Sequence, residues 1–174
     1  SSAQFQVLLY LIIEEYLRSK GGFILHASAV SHKEKAYLFL GKSGAGKSTI
    51  ARIISKKYKY IADENVYVFK RGKEVLLGTF PIREKAYWIT RSPFVYKIGG
   101  FYFLKKAKKN KIKKINSLIE KYNKLINQIV TNEPLNKRQI NLIYYTVRII
   151  ESYDLNFSIK DERNLIKFFD EKIT

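Results

Sequence analysis

Residues Gly41-Lys42-Ser43-Gly44-Ala45-Gly46-Lys47-Ser48 satisfy the pattern G-x-x-x-x-G-K-[ST] at every fixed position. Glycines at these places let successive backbone N–H groups turn inward as an anion nest. A helix opened by such a loop adds the positive end of its dipole. Lys47 then reaches the β- and γ-phosphates of a nucleoside triphosphate, and the Ser48 hydroxyl is placed to ligate Mg²⁺, with Thr49 completing the segment. Phosphoryl transfer also needs an acid to hold the metal or to take a proton. Sixteen residues past Lys47 lies Ala62-Asp63-Glu64, where one carboxylate could face Mg²⁺ and its neighbour the attacking hydroxyl. The same pair also suits a turn between two strands. His26 stands in the apolar run Ile24 to Val30, a place held more often by a hydrogen-bonded structural residue than by one that does chemistry. His32 lies in a polar turn with no chemical role indicated.

These residues need elements to position them. Ala36 to Leu40 supplies the strand before the loop, and the helix that the loop opens is expected from Ser48 to Tyr58. Phe23–Val30 and Lys35–Leu40 read as a hairpin about Ser31-His32-Lys33-Glu34. Residues 59–69 read as a strand, a polar break that contains the acids, and a second strand. Arg71-Gly72-Lys73 turns into another at Glu74 to Leu77. An amphipathic helix is expected over residues 3–19, stopped by Gly21-Gly22. Residues 78–99, with Gly78, Pro81, Pro93 and Gly99, show no period and read as a long irregular segment. Gly100 to Leu104 reads as a strand and 112–130 as a helix. A second helix runs from a cap at Asn136 to Tyr153. A strand over Leu155 to Ile159 and a helix over Asp161 to Lys172 follow. The order is that of one α/β domain, residues 1–174, with a mixed sheet.

Taken together, Leu25-His26-Ala27-Ser28-Ala29-Val30, the segment Phe39 to Thr49, and Ala62-Asp63-Glu64 resemble the HPr kinase/phosphorylase catalytic domain and its small relatives. There too a strand histidine precedes the loop and an acidic turn follows it. The likeness is specific over residues 23–68 and continues weakly from Ile98 to Lys109. It implies a phosphoenolpyruvate carboxykinase-like fold with flanking helices. It further implies an ATP- and Mg²⁺-dependent kinase that phosphorylates a serine hydroxyl of a protein or peptide. By position, Lys47 holds the phosphates, Ser48 and Asp63 face the metal, His26 lines the site, and Glu64 takes the place of the proton acceptor. A homo-oligomer is also implied, with no interface legible. The chain departs from the pattern at Glu64, where the family has Asp, and at Thr49, where the bifunctional enzymes carry Glu. The downstream signature linked to the phosphorylase reaction has no counterpart; Glu84 is the nearest candidate. A nucleotide-binding regulatory module and a kinase of free serine remain alternative readings.

Thirty-three Lys and Arg against 15 Asp and Glu give a net charge of +18, a field that attracts polyanions in general. An AT-rich genome drifts toward the same Lys, Ile, Asn and Tyr composition, so the charge alone names no partner. Residues 105–114 hold seven Lys without interleaved aromatics; they read as a solvated loop and first helical turn, or next as a docking surface for an acidic substrate, with nucleic acid disfavoured. Tyr87 and Trp88 could pack over an adenine, over the acceptor or in the core. No Cys is present, which excludes disulfides and thiolate metal sites. No apolar run is long enough for a membrane span. The first residues lack a basic leader, and a nucleotide site points to the cytoplasm. The chain starts without Met, as a piece of a longer protein would.

Overall fold

The run Ala36-Tyr37-Leu38-Phe39-Leu40 is apolar at every position, which demands a strand covered on both faces. In the computed structural model, which describes residues 2–80, 95–160 and 162–173, this requirement organises the fold. Strand β1 (Phe23–His32) and β2 (Lys35–Leu40) form the expected antiparallel hairpin. Ala36, Leu38 and Leu40 pack into one core, while Tyr37 and Phe39 pack into another on the opposite face.

The remaining strands are β3 (Lys59–Ala62), β4 (Asn65–Arg71), β5 (Glu74–Thr79), β6 (Val95–Lys106), β7 (Lys111–Lys114), β8 (Ile129–Val130) and β9 (Ser152–Phe157). They join one mixed sheet in the order β2-β1-β4-β5-β6-β9-β7, with β3 and β8 also paired to β1. Strand β2 runs antiparallel to β1 but parallel to β6, which closes a circuit through β1, β4, β5 and β6. Helices cover both faces. α3 (Leu118–Ile126) and α4 (Lys137–Ile149) carry Leu125, Ile143 and Val147 into one core. α2 (Lys47–Ile54) and α5 (Glu162–Ile173) carry Ile50, Ile54, Leu165 and Phe169 into the other. α1 (Ser2–Lys20) packs Leu17 with Ile24 and Phe80, while Phe5, Leu8, Ile12 and Tyr16 face outward. Among the described residues no helix is long and apolar enough to cross a membrane.

Three expectations change. Residues 112–114 form part of strand β7 instead of a helix, because Ile112 enters the α2–α5 core and the backbone pairs with β9. The helix of this region is accordingly short: it starts at a Ser117 cap and ends at Ile126, and Ile129 and Val130, expected within it, form β8. α2 ends at Ile54, and α4 ends at Ile149 because β9 begins at Ser152. Gly78 and Thr79 end β5 and residues 95–99 belong to β6, so these parts of 78–99 are not irregular. Readings that fall on 81–94, among them Pro81, Glu84, Tyr87, Trp88 and Pro93, lie outside the described residues.

Candidate functional site

The site grows from a changeover of partners along β1. On one flank β3 ends at Ala62 opposite Ala29, and β4 begins at Asn65 opposite His26, which leaves Asp63 and Glu64 as the hinge between them. On the other flank β2 ends at Leu40 opposite Ala27, and β8 begins at Ile129 opposite Leu25. The glycine loop therefore departs from the sheet at the level where the acidic turn crosses it. His26 N–H donates to the Gln128 carbonyl (2.9 Å), and Ala27 N–H donates to the Glu64 carbonyl (3.0 Å).

Within the loop, Gly44 and Gly46 hold φ of 76° and 97°, a region that favours glycine. A Cβ on Gly46 would also stand 2.7 Å from the Phe157 ring, so this position excludes any side chain. The Ala45 N–H closes back on the Lys42 carbonyl at 3.0 Å. Lys47 is buried, and its ammonium donates to the Gly41 and Lys42 carbonyls at 2.8 and 3.3 Å, beneath the loop. Burial draws its pKa below the ordinary lysine value, and the Asp63 carboxylate works in the opposite direction. Ser48 is exposed and Thr49 half-buried in the first turn of α2. That turn has neither a side-chain cap nor an acidic residue. By contrast, α3 is capped by Ser117 and α4 by a full Asn136–Gln139 capping box. Among the described residues no side-chain cap and no first-turn acid compensates the positive end of α2.

The acids are half-buried. Ser28 Oγ donates to Asp63 Oδ1 at 3.0 Å, and the Tyr60 hydroxyl donates to the same oxygen, so the carboxyl has a fixed orientation. Burial first, and then the Lys47 ammonium, lower the His26 pKa, while the Glu64 carbonyl and the two carboxylates oppose them. His26, Lys47, Asp63, Glu64 and the loop are therefore brought together. His32 is elsewhere, its ring edge-on to Tyr58 at 5.3 Å.

Sequence reasoning missed Gln128. Its side-chain oxygen accepts the Gly41 N–H at 3.0 Å while its carbonyl holds β1, so it ties the start of the loop to the turn after α3. No local pattern marks it; only the β8–β1 pairing brings it there. Of the lysine run, Lys108 and Lys109 lie in the expected loop, whereas Lys105 and Lys106 end β6 and Lys111, Lys113 and Lys114 belong to β7. Lys105, Lys111 and Lys113 line a cleft of about 1400 Å³ that is bordered by the loop, His26 and Gln128. Lys106, on the opposite face of β6, also reaches this cleft, near Gly46. Lys124 of α3 pairs with Asp154, and with Glu120 at 3.0 Å.

Among the described residues no group of three or more His, Asp or Glu forms a ready-made metal cage. The Ser48 hydroxyl and the Asp63 carboxylate nonetheless suit the chemistry of Mg²⁺, which takes one or two carboxylates and completes its shell with other oxygen ligands and water.

The family model of the SynChlorMet cassette protein ScmC matches residues 3–123 of this chain. No curated protein matches it. Among solved structures, the Hpr(Ser) kinase/phosphatase from Coxiella burnetii is similar at 11% identity and a TM-score of 0.44, over 85% of this chain and 91% of that one.

Proposed function

The chain belongs to the SynChlorMet cassette protein ScmC family, and within it we propose an ATP- and Mg²⁺-dependent kinase that phosphorylates a serine hydroxyl of a protein or peptide. The observation that carries this reading is the convergence of an uncapped glycine loop, a buried Lys47 and the Asp63-Glu64 turn at one level of β1. A loop and lysine alone serve any nucleotide binder; the adjacent carboxylates add what a hydroxyl acceptor requires. The order of His26, loop and acidic turn resembles the HPr kinase pattern. The antiparallel β1–β2 pairing beside a parallel β2–β6 pairing suits the phosphoenolpyruvate carboxykinase-like arrangement better than an all-parallel doubly wound sheet.

In this mechanism the amides of Gly44 to Ser48 hold the phosphates, and Lys47 swings from the loop carbonyls to the γ-phosphate as charge builds there. Ser48 and Asp63 are the residues that would hold Mg²⁺, which would supply positive charge to the transferring group. Asp63, fixed by Ser28 and Tyr60, suits the metal side, which leaves Glu64 to accept the hydroxyl proton. The serine oxygen forms its bond to the γ-phosphorus as the bond to the β–γ bridging oxygen breaks. ADP departs with that electron pair, and the proton rests on Glu64. His26, with its lowered pKa, is neutral at pH 7 and adds no charge beside Lys47.

Glu64→Gln is expected to abolish transfer from labelled ATP while nucleotide binding stays within about twofold, and Lys47→Ala is expected to abolish both. Transfer that persists in Glu64→Gln would remove Glu64 from the mechanism, and no transfer by the wild-type chain to any serine peptide would remove the kinase reading.

A further inference from the structure

The lysines misread as a solvated loop fall into register on one face of the sheet. Phe103, Asp154 and Lys113 are direct neighbours across β6, β9 and β7, and Lys105, Asn156 and Lys111 form the next row. Because side chains alternate along a strand, both rows point to the α3 side, where they line the cleft beside the loop. Among the described residues Lys105, Lys111 and Lys113 have no carboxylate within ion-pair distance, and all three are exposed. The same run also supplies Lys114, paired with Glu151, and Lys108 and Lys109, which line a separate hollow. Charge is thus concentrated in the cleft by register, beyond the general surplus of the chain.

We propose that the face formed by Lys105, Lys111 and Lys113 docks an acidic polypeptide segment, and that this segment flanks the serine to be phosphorylated. The second half of this statement rests on the kinase reading; the docking itself does not. The cleft volume of about 1400 Å³ exceeds the usual ~300–1,000 Å³ of a small-ligand site, so it has room for more than a nucleotide. Strand β7 lies three strand spacings from β2, roughly 14 Å, which an extended chain crosses in about four residues. Carboxylates about four positions from the serine therefore meet Lys111 and Lys113. A polynucleotide fits less well. Phe103 is buried and unable to stack on a base, and among the described residues the cleft wall holds lysines but no arginine.

The test is fluorescence anisotropy on the full chain, using a labelled peptide with a serine four residues from a run of glutamates. Lys111→Glu/Lys113→Glu is compared with Lys108→Glu/Lys109→Glu, which changes the net charge equally from outside the cleft. The cleft pair should weaken binding about tenfold or more and the outside pair less than about twofold. Lys111→Gln/Lys113→Gln guards against misfolding and should give a smaller loss in the same direction. Equal losses from both pairs overturn the proposal, because the general field then explains the binding. Tighter binding of a charge-matched oligouridylate with the same cleft dependence overturns it in favour of nucleic acid. Fluorescent ATP-analogue binding is read in parallel. If the cleft pair weakens the analogue as much as the peptide, the lysines serve the nucleotide and the proposal fails. Peptide binding with the expected pattern but no nucleotide binding sinks the kinase reading alone and leaves the docking face standing.

Discussion

His26 sits where strand geometry and charge compete. Burial and the neighbouring Lys47 ammonium hold its pKa below 6.5, so the unfolded chain takes up that proton first as the pH falls. Its contribution to native stability is therefore lost progressively as pH drops through 6.5 toward the folded value. His26→Gln should flatten this slope: urea midpoints between about pH 8 and pH 5 should fall less in the variant than in the wild type. An equal fall would assign the slope to other groups. At this scale the glycine loop, Lys47 and the acidic pair were legible because each is a short pattern with its own chemistry. Gln128 was not, since a glutamine becomes a loop anchor only when β8 is laid beside β1, about a hundred residues away in sequence.

Elements with a local period were also readable. The hairpin of β1 and β2 declared itself by two apolar runs and a polar turn, and α4 by its cap. Strand β7 did not, because Lys111–Lys114 contributes one apolar residue, Ile112, and its spacing from Ile115 and Ile119 also fits a helix. Pairing with β9 decided the outcome, a case of tertiary context overriding local pattern. The start of α4 carries more than its own cap. Asn136 Oδ1 accepts the Gln139 N–H (3.0 Å), its Nδ2 donates to the Arg18 carbonyl at the end of α1 (3.1 Å), and Gln139 Nε2 donates to the Gly22 carbonyl (3.0 Å). Asn136→Ala removes the cap and one tie to α1 together, so the expected cost in chemical denaturation is about 1–2 kcal/mol. A loss of only a few tenths would mean that neither the cap nor the tie to α1 contributes appreciably.

For the whole molecule, the two-sided burial of β2 makes both helix layers indispensable. Phe169 of α5 is fully buried, with the rings of Tyr37, Phe39, Tyr58 and Tyr102 at 6.0, 5.5, 5.9 and 5.1 Å. Phe169→Ala should cost about 3–5 kcal/mol, a large part of the ~5–15 kcal/mol available to a domain. A urea midpoint near that of the wild type would show that α5 adds little to this core. The mixed α/β class followed from the order of elements, but the circuit of strands did not, because it depends on the parallel β2–β6 contact across about sixty residues. The changeover along β1 has one more consequence. His26 and Ala27 are adjacent, yet their amides point to opposite banks, one to Gln128 beside the lysine cleft and the other to Glu64 in the acidic turn. Deuterium uptake at these two amides is thus a pair of independent clocks, each timing the opening of one bank. A compound that seats only in the cleft slows the first clock and leaves the second running.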